Sequence, residues 1–287
     1  MMRLFKPFRA AAVPRADPPA AAAQPAAPAG ASAPPAPCPA DDVERLAGGE
    51  HYRSFLARAH ATLAPRTYLE IGVWTGASLS LAACRAVAVD PEPQLAEQGP
   101  LVELHAKTAD DFFALDAATA LRGGHDLAFI DGLHLFDFVL RDFLNAERFA
   151  HPAGVIVLDD IYPNHPAQAS RHRHTLTWMG DVWKLADCLA RYRPELTVAG
   201  LDTWPSGLLF VAGLDPDSTV LRERGGEILS RYLGSEYDVV PDAVIARRGA
   251  VDPASRWLQE TMAFLRDARE RALPAAEIRR TLAALRR

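Results

Sequence analysis

The sequence has no excess of positive charge. Its 287 residues carry 31 Lys and Arg against 36 Asp and Glu, a net charge of -5, which gives no electrostatic reason to expect a nucleic-acid partner. Cysteine is scarce: Cys38, Cys84 and Cys188 suit neither a disulfide framework nor a zinc site, and a reducing cytoplasm is the simplest setting. No run of 18 or more apolar residues occurs, which argues against stable membrane insertion. The opening "MMRLFKPFRAAAVPRADPP" is basic, but proline and charge interrupt the apolar core that a signal peptide needs. Two nucleotide motifs are missing as well. Val73 and Trp74 follow Gly72, so there is no G-x-G-x-x-G, and no Gly-Lys-Ser/Thr exists for a Walker A loop.

What is present divides by texture. Residues 1–40 hold 15 alanines and 10 prolines, too little apolar surface to offset the entropy of ordering, and are expected to be a disordered, partly polyproline-II tail. From residue 41 the chain reads as helical segments broken at Gly48-Gly49. Strands then alternate with helices: "TYLEIG" (67–72), "AVAVD" (86–90), "LVELHA" (101–106), "DLAFID" (126–131) and "AGVIVLDD" (153–160) read as strands. Helices are expected over 77–85, 108–122 and 181–192, and after Asp131, where Phe136, Val139, Leu140, Phe143 and Leu144 form one apolar face. "LTVAGLD" (196–202) and "GLLFVAGL" (207–214) are joined too tightly for a helical crossover and should pair antiparallel. The fold expected is α/β, a Rossmann-like doubly wound seven-stranded sheet, mostly parallel with an antiparallel last strand and helices on both faces.

Acids recur at the expected strand ends: Glu70, Asp90, Asp131 and the pair Asp159-Asp160. In an open parallel sheet, ligands bind at the carboxyl ends of strands. Gly72 lets backbone approach a ligand there, and Gly76 lets the next helix start close by. Asp90, at the tip of the second strand, is placed to accept from both hydroxyls of a ribose. A ribose without a pyrophosphate cradle points to a nucleoside-type cofactor that is not a dinucleotide.

At these residues the chain resembles the class I S-adenosylmethionine-dependent methyltransferases. The likeness rests on "LEIGVWTGAS", "AVAVDPEP", "AFIDGLHLFDFVLRDF" and "GVIVLDD" and covers roughly residues 65–215. It is nearer the branch with a D-G-x-H element and a D-D pair, methyltransferase family 24-like and related to metal-dependent O-methyltransferases. The resemblance implies that Glu70, Gly72 and Gly76 line the methionine end of S-adenosylmethionine and that Asp90 holds the ribose. Asp110 or Asp111 would lie near the adenine, with helix capping as the competing reading. Asp131 joins the cofactor-binding set, and Asp131, Asp159 and Asp160 would hold Mg2+ or another divalent cation. Catechol-type relatives keep a lysine three positions after the first acid. Here that position is His134, a candidate general base.

The domains implied are a methyltransferase domain over 41–240 and a C-terminal helical extension over 241–287, in which Trp257, Leu258, Met262 and Leu265 share a face. The reaction expected is methyl transfer to a hydroxyl oxygen of a small molecule or glycan. A cephalosporin-hydroxylase-like enzyme and a non-catalytic cofactor-binding module are the alternatives. The loop 161–181, with His165, Arg171, His172, Arg173, His174 and Trp178, would overhang the acceptor; a solvated basic loop is the plainer reading. Helices at both ends are candidates for a homodimer face.

Overall fold

The computed structural model describes residues 43–285; the tail expected over 1–40 lies outside them. Seven strands form the main sheet: β1 (Thr67–Ile71), β2 (Arg85–Val89), β3 (Val102–His105), β4 (His125–Ile130), β5 (Ala150–Leu158), β6 (Thr197–Leu201) and β7 (Leu208–Ala212). Their order is β3-β2-β1-β4-β5-β7-β6. β7 runs antiparallel to both neighbours, and the other pairings are parallel. The order reverses between β1 and β4, so the crevice for a ligand opens above that pair.

Side-chain alternation divides the core between the two faces. Leu69, Ile71, Val87, Val89, Ala128, Ile130, Ile156 and Leu158 pack on one face under helices α2 (Ala109–Leu115), α3 (Phe136–Arg148) and α4 (Lys184–Tyr192). Tyr68, Ala86, Ala88, Leu127, Phe129, Val155 and Val157 pack on the other against α1 (Tyr52–Leu63), α6 (Arg256–Glu270) and α7 (Ala275–Leu285). A further helix, α5 (Gly225–Tyr232), joins the first cluster through Ile228 and Tyr232. Strands buried on both faces read as continuous apolar runs, which is why the sequence pattern located them. Leu258, Met262 and Leu265 are fully buried in the second cluster, so α6 completes the same core as α1.

Two expected helices differ. Over 77–85 there is only a 3-10 turn, Leu79–Leu81. The glycine loop takes up the start of the return to β2 at Arg85, and Ser78 is turned inward to hydrogen-bond Glu70 at 2.7 Å. Residues 45–48 are not helical. They belong to a strap whose polar groups serve the loop after β5. Gln168 Nε2 donates to the carbonyls of Val43 and Arg45 at 2.7 and 3.0 Å, and Glu44 accepts from the amides of Leu176 and Thr177. The strap then pairs in parallel with 203–204 through Glu50–His51.

Candidate active site

Register brings the strand tips into one row. Ile71 pairs with Val89 on one side and Ile130 on the other, and Ile130 pairs with Leu158. Gly72, Asp90, Asp131 and Asp159 are each the next residue along, so the four stand level at the carboxyl edge. Backbone bonds hold the row: Gly72 N–H donates to Val89 O at 2.9 Å, Asp131 N–H to Ile71 O at 2.8 Å and Asp159 N–H to Ile130 O at 3.0 Å.

The loop after β1 is built on left-handed backbone. Gly72 has φ +82°, and a Cβ there would lie 1.8 Å from the Asp131 carbonyl oxygen. Only glycine lets the β1 and β4 tips approach so closely. Asp90 organises this loop: its Oδ2 accepts from the amides of Val73 and Trp74, both at 2.8 Å, and its Oδ1 from Glu92 N–H at 2.8 Å. Gly76, at φ +77°, turns the chain under Leu95. Trp74 stands 66% exposed beside it.

Glu70 lies inside β1 rather than at its tip. Its side chain is fully buried, accepting from Tyr68 Oη at 2.6 Å and Ser78 Oγ at 2.7 Å, and burial pushes its pKa up to about 7. It braces the glycine loop from below. Asp110 and Asp111 both fall in the first turn of α2. Arg141 Nη2 donates to Asp110 at 2.9 Å, while Asp111 exchanges hydrogen bonds with the capping Thr108. Both are exposed and serve as helix-start acids in this conformation.

Asp131, His134 and Asp160 converge past the tips of β4 and β5. Their ligand atoms lie within 4.8 Å of one another. His134 Nδ1 is 2.8 Å from Asp160 Oδ2 and 2.9 Å from the Trp178 carbonyl, and Nε2 is 3.6 Å from Asp131 Oδ1. Nδ1 between two acceptors must carry a proton, which leaves Nε2 facing Asp131. Burial works against the imidazolium, yet Asp160 and Asp131 outweigh it and hold the pKa of His134 well above its ordinary value. Burial raises Asp131 despite His134. Asp159 is turned aside: its Oδ1 accepts from Ser206 Oγ at 3.0 Å and from Asp160 N–H at 2.8 Å. Of the expected cation set, two carboxylates meet and the third supports them, with His134 in its place. Asp160 holds φ +65°, unusual for a residue with a Cβ, and this backbone turn aims its carboxylate at His134.

The loop after β5 is a clamp, and most of its basic groups are already paired. Arg171 donates to Asp181 at 2.9 Å and Asp137 at 2.7 Å. Asp181, 1% exposed, also pairs with buried Lys184 at 2.9 Å and accepts Phe136 N–H at 2.7 Å, a remote cap for α3. His165 caps a 3-10 turn, and Arg173 donates to loop carbonyls. Trp178 stacks on His134, with ring centres 5.4 Å apart and an interplanar angle of 14°. His172 and His174 make a ring contact with each other at 6.3 Å.

Sequence reading missed Asp181 and Tyr52. Tyr52 begins α1, stacks on Phe129 at 6.1 Å, and its hydroxyl lies in the field of Asp159 and Asp131. Burial, then those charges, pushes its pKa up to about 12. Neither residue belongs to a motif; only the packing of loop and helix ends brings them to the site.

Residues 69–161 match the family model described as a methyltransferase domain. Strand order and the reversed β7 are those of a Rossmann-like methyltransferase fold, and the matched residues lie at its centre. The matching model is that of methyltransferase family 24. Similar solved structures include the O-methyltransferase TomG from Streptomyces achromogenes, involved in tomaymycin synthesis and solved with S-adenosylmethionine. It is 20% identical, with 56% of this chain and 78% of that chain covered and a TM-score of 0.45. A putative O-methyltransferase from Klebsiella pneumoniae is 18% identical over 56% of this chain and 79% of that chain, with a TM-score of 0.44. No curated protein matches the sequence. Among the described residues, no helix is long and apolar enough to cross a membrane.

Proposed function

We propose that the protein transfers a methyl group from S-adenosylmethionine to a hydroxyl oxygen of a small molecule or glycan. The level row of Gly72, Asp90 and Asp131 at the switch point between β1 and β4 carries this reading. A cofactor laid across the row would meet the glycine loop, then Asp90 at its ribose, with Asp131 beside the reacting end. The methyltransferase match favours this chemistry over hydroxylation and over a silent binding module.

The sulfonium supplies an activated methyl group, so the protein must align the acceptor and remove its proton. Nδ1 of His134 is fixed as a donor toward Trp178 and Asp160, which leaves Nε2 as the atom that takes the proton. The resting imidazolium must first lose its charge. Asp131 and Asp160 are the residues that would hold a divalent cation, whose charge would lower the pKa of an acceptor hydroxyl. Two carboxylates facing one cationic partner fit such an ion, since imidazolium and metal would satisfy the same charge. Asp159 would steady Asp160 from behind.

Calorimetric titration of the intact protein with S-adenosylmethionine tests the cofactor reading, and absence of binding by folded protein sinks it. A host metabolite extract and labelled cofactor test the reaction: product gaining the mass of CH2 supports transfer, whereas a gain of oxygen supports hydroxylation. Full turnover in excess EDTA would remove the cation from the scheme. A cytoplasmic setting accords with the free thiols of Cys84 and Cys188.

A further inference from the structure

Asp142 is an acid in the middle of α3, only 6% exposed, a degree of burial that acids rarely reach without a partner. Its carboxyl comes up under the tip of β4. A Cβ built on Gly132 would lie 3.3 Å from Asp142 Oδ2 and 3.5 Å from Ile71 Cγ2, at the tip of β1. The carboxyl therefore stands at the switch point between β1 and β4, on the side of the sheet that α2 and α3 cover.

Among the described residues, none hydrogen-bonds this carboxyl. Arg141, its chain neighbour, is committed to Asp110 at 3.2 and 2.9 Å and lies over the Phe138 ring at 4.3 Å. Asp110 adds a negative charge nearby, which makes the site worse for a second one. The carboxyl oxygens are unpartnered but not sealed, unlike the indole nitrogen of Trp183. Gly132 above them is half-buried and has no side chain to cover them. A polar group so placed costs stability and satisfies nothing in the fold, and in a cleft that combination marks a ligand contact.

Position and chemistry name the ligand group. Asp90 and Gly132 follow β2 and β4, on either side of β1, so they stand about 10 Å apart at the ordinary strand spacing. A ribose held at Asp90 lets its base reach across β1 toward Gly132. Burial pushes the Asp142 pKa up to about 7, so a neutral carboxyl is within easy reach. Such a carboxyl offers a donor and an acceptor side by side, as an Asn amide does, and Asn reads adenine with that pair. The ionised form still accepts from the amino group. We propose, resting on the methyltransferase reading above, that Asp142 is a cofactor-binding residue, whose carboxyl accepts from the 6-amino group of the adenine of S-adenosylmethionine through the gap left by Gly132.

The test is calorimetric titration of the full chain with S-adenosylhomocysteine and with its 6-deamino analogue, in which hydrogen replaces the amino group. The unaltered chain should bind the analogue about tenfold more weakly. Asp142→Leu should bind the two ligands about equally, because the partner of the amino group is gone. Asp142→Asn keeps a donor and an acceptor and should retain most of the preference. Melting curves establish that each variant is folded, and Asp142→Ala replaces Asp142→Leu if the latter does not fold. A merely structural role for Asp142 would weaken both ligands alike and leave the preference in place, which overturns the proposal. So does equal binding of the two ligands by the unaltered chain, with the cofactor reading intact. Binding of neither ligand by the folded, unaltered chain sinks the cofactor reading and this proposal together.

Discussion

His134 Nδ1 stands 2.8 Å from Asp160 Oδ2, while its Nε2 faces Asp131 at 3.6 Å. The ring thus bridges two carboxylates carried by different strands, and the resting site contains its own cation. Nitrogen-detected NMR should find both ring nitrogens protonated at neutral pH, with a midpoint above the ordinary 6.5. Asp160→Asn should lower that midpoint by about one unit or more. A midpoint that does not move removes Asp160 from the account. A raised folded pKa contributes stability that is complete below 6.5 and is lost as pH rises through the folded value.

Gly180 locks the clamp onto the same histidine. At φ +57°, a Cβ would fall 1.6 Å from the His134 carbonyl oxygen. Gly180→Ala should cost at least about 2 kcal/mol in denaturant unfolding and shift the His134 resonances. Gly123 is the control. Its φ is +92° and a Cβ there meets nothing within 4 Å, so Gly123→Ala should cost only about 1–2 kcal/mol of backbone strain. Equal costs would show that the contact with His134 does not matter.

Asp181 and Lys184 are 1% and 3% exposed at their side chains and 2.9 Å apart. Asp181→Ala leaves the buried ammonium with no carboxylate and only the Tyr232 carbonyl as acceptor, a loss of about 3–5 kcal/mol. Adding Lys184→Met should recover part of it, because the uncompensated charge is gone. A double variant no more stable than the single one would place the cost in the lost cap of α3 instead.

Asp142, 6% exposed on α3, has no hydrogen-bonded cation among the described residues, and burial pushes its pKa up from 3.8 to about 7. Below about pH 4 the folded and unfolded chains both hold the proton, so there is no penalty. As pH rises, the unfolded chain ionises first and stability falls, until the full penalty stands above about 7. Asp142→Asn should therefore raise the melting temperature at mildly alkaline pH and lose that advantage on acidification. An advantage independent of pH would mean that Asp142 does not ionise there.

The opposite slope comes from histidine. His60 and His125 are buried, with pKa values lowered to about 4, so the unfolded chain takes up their protons first below 6.5. Stability is lost as pH falls from 6.5 toward 4. His60→Phe should blunt that acid sensitivity in melting curves, and an unchanged acid limb would assign it elsewhere.

The sheet was legible because strands buried on both faces cannot tolerate polar interruption, so apolar runs such as "DLAFI" and "GVIVL" mark them without help from context. Asp131 and Asp160 were legible for the same reason: each follows such a run. The helix expected over 77–85 was not, because local propensity carries no information about Ser78 turning inward to Glu70. Nor did the apparent basicity of 161–181 announce that Arg171 is spent on Asp137 and Asp181.

The strand runs, the glycines that admit left-handed backbone and the acids that end the strands are written in the order of residues alone, since they follow from burial and steric limits acting residue by residue. That the tips stand level, that Asp159 turns to Ser206 while Asp160 turns to His134, and that Glu70 is a buried brace come from the folded packing. Those outcomes depend on register and on which donors lie across the fold, and hydrogen bonds between Asp159 and Ser206 or His134 and Trp178 join residues whose separation in sequence gives no hint of contact.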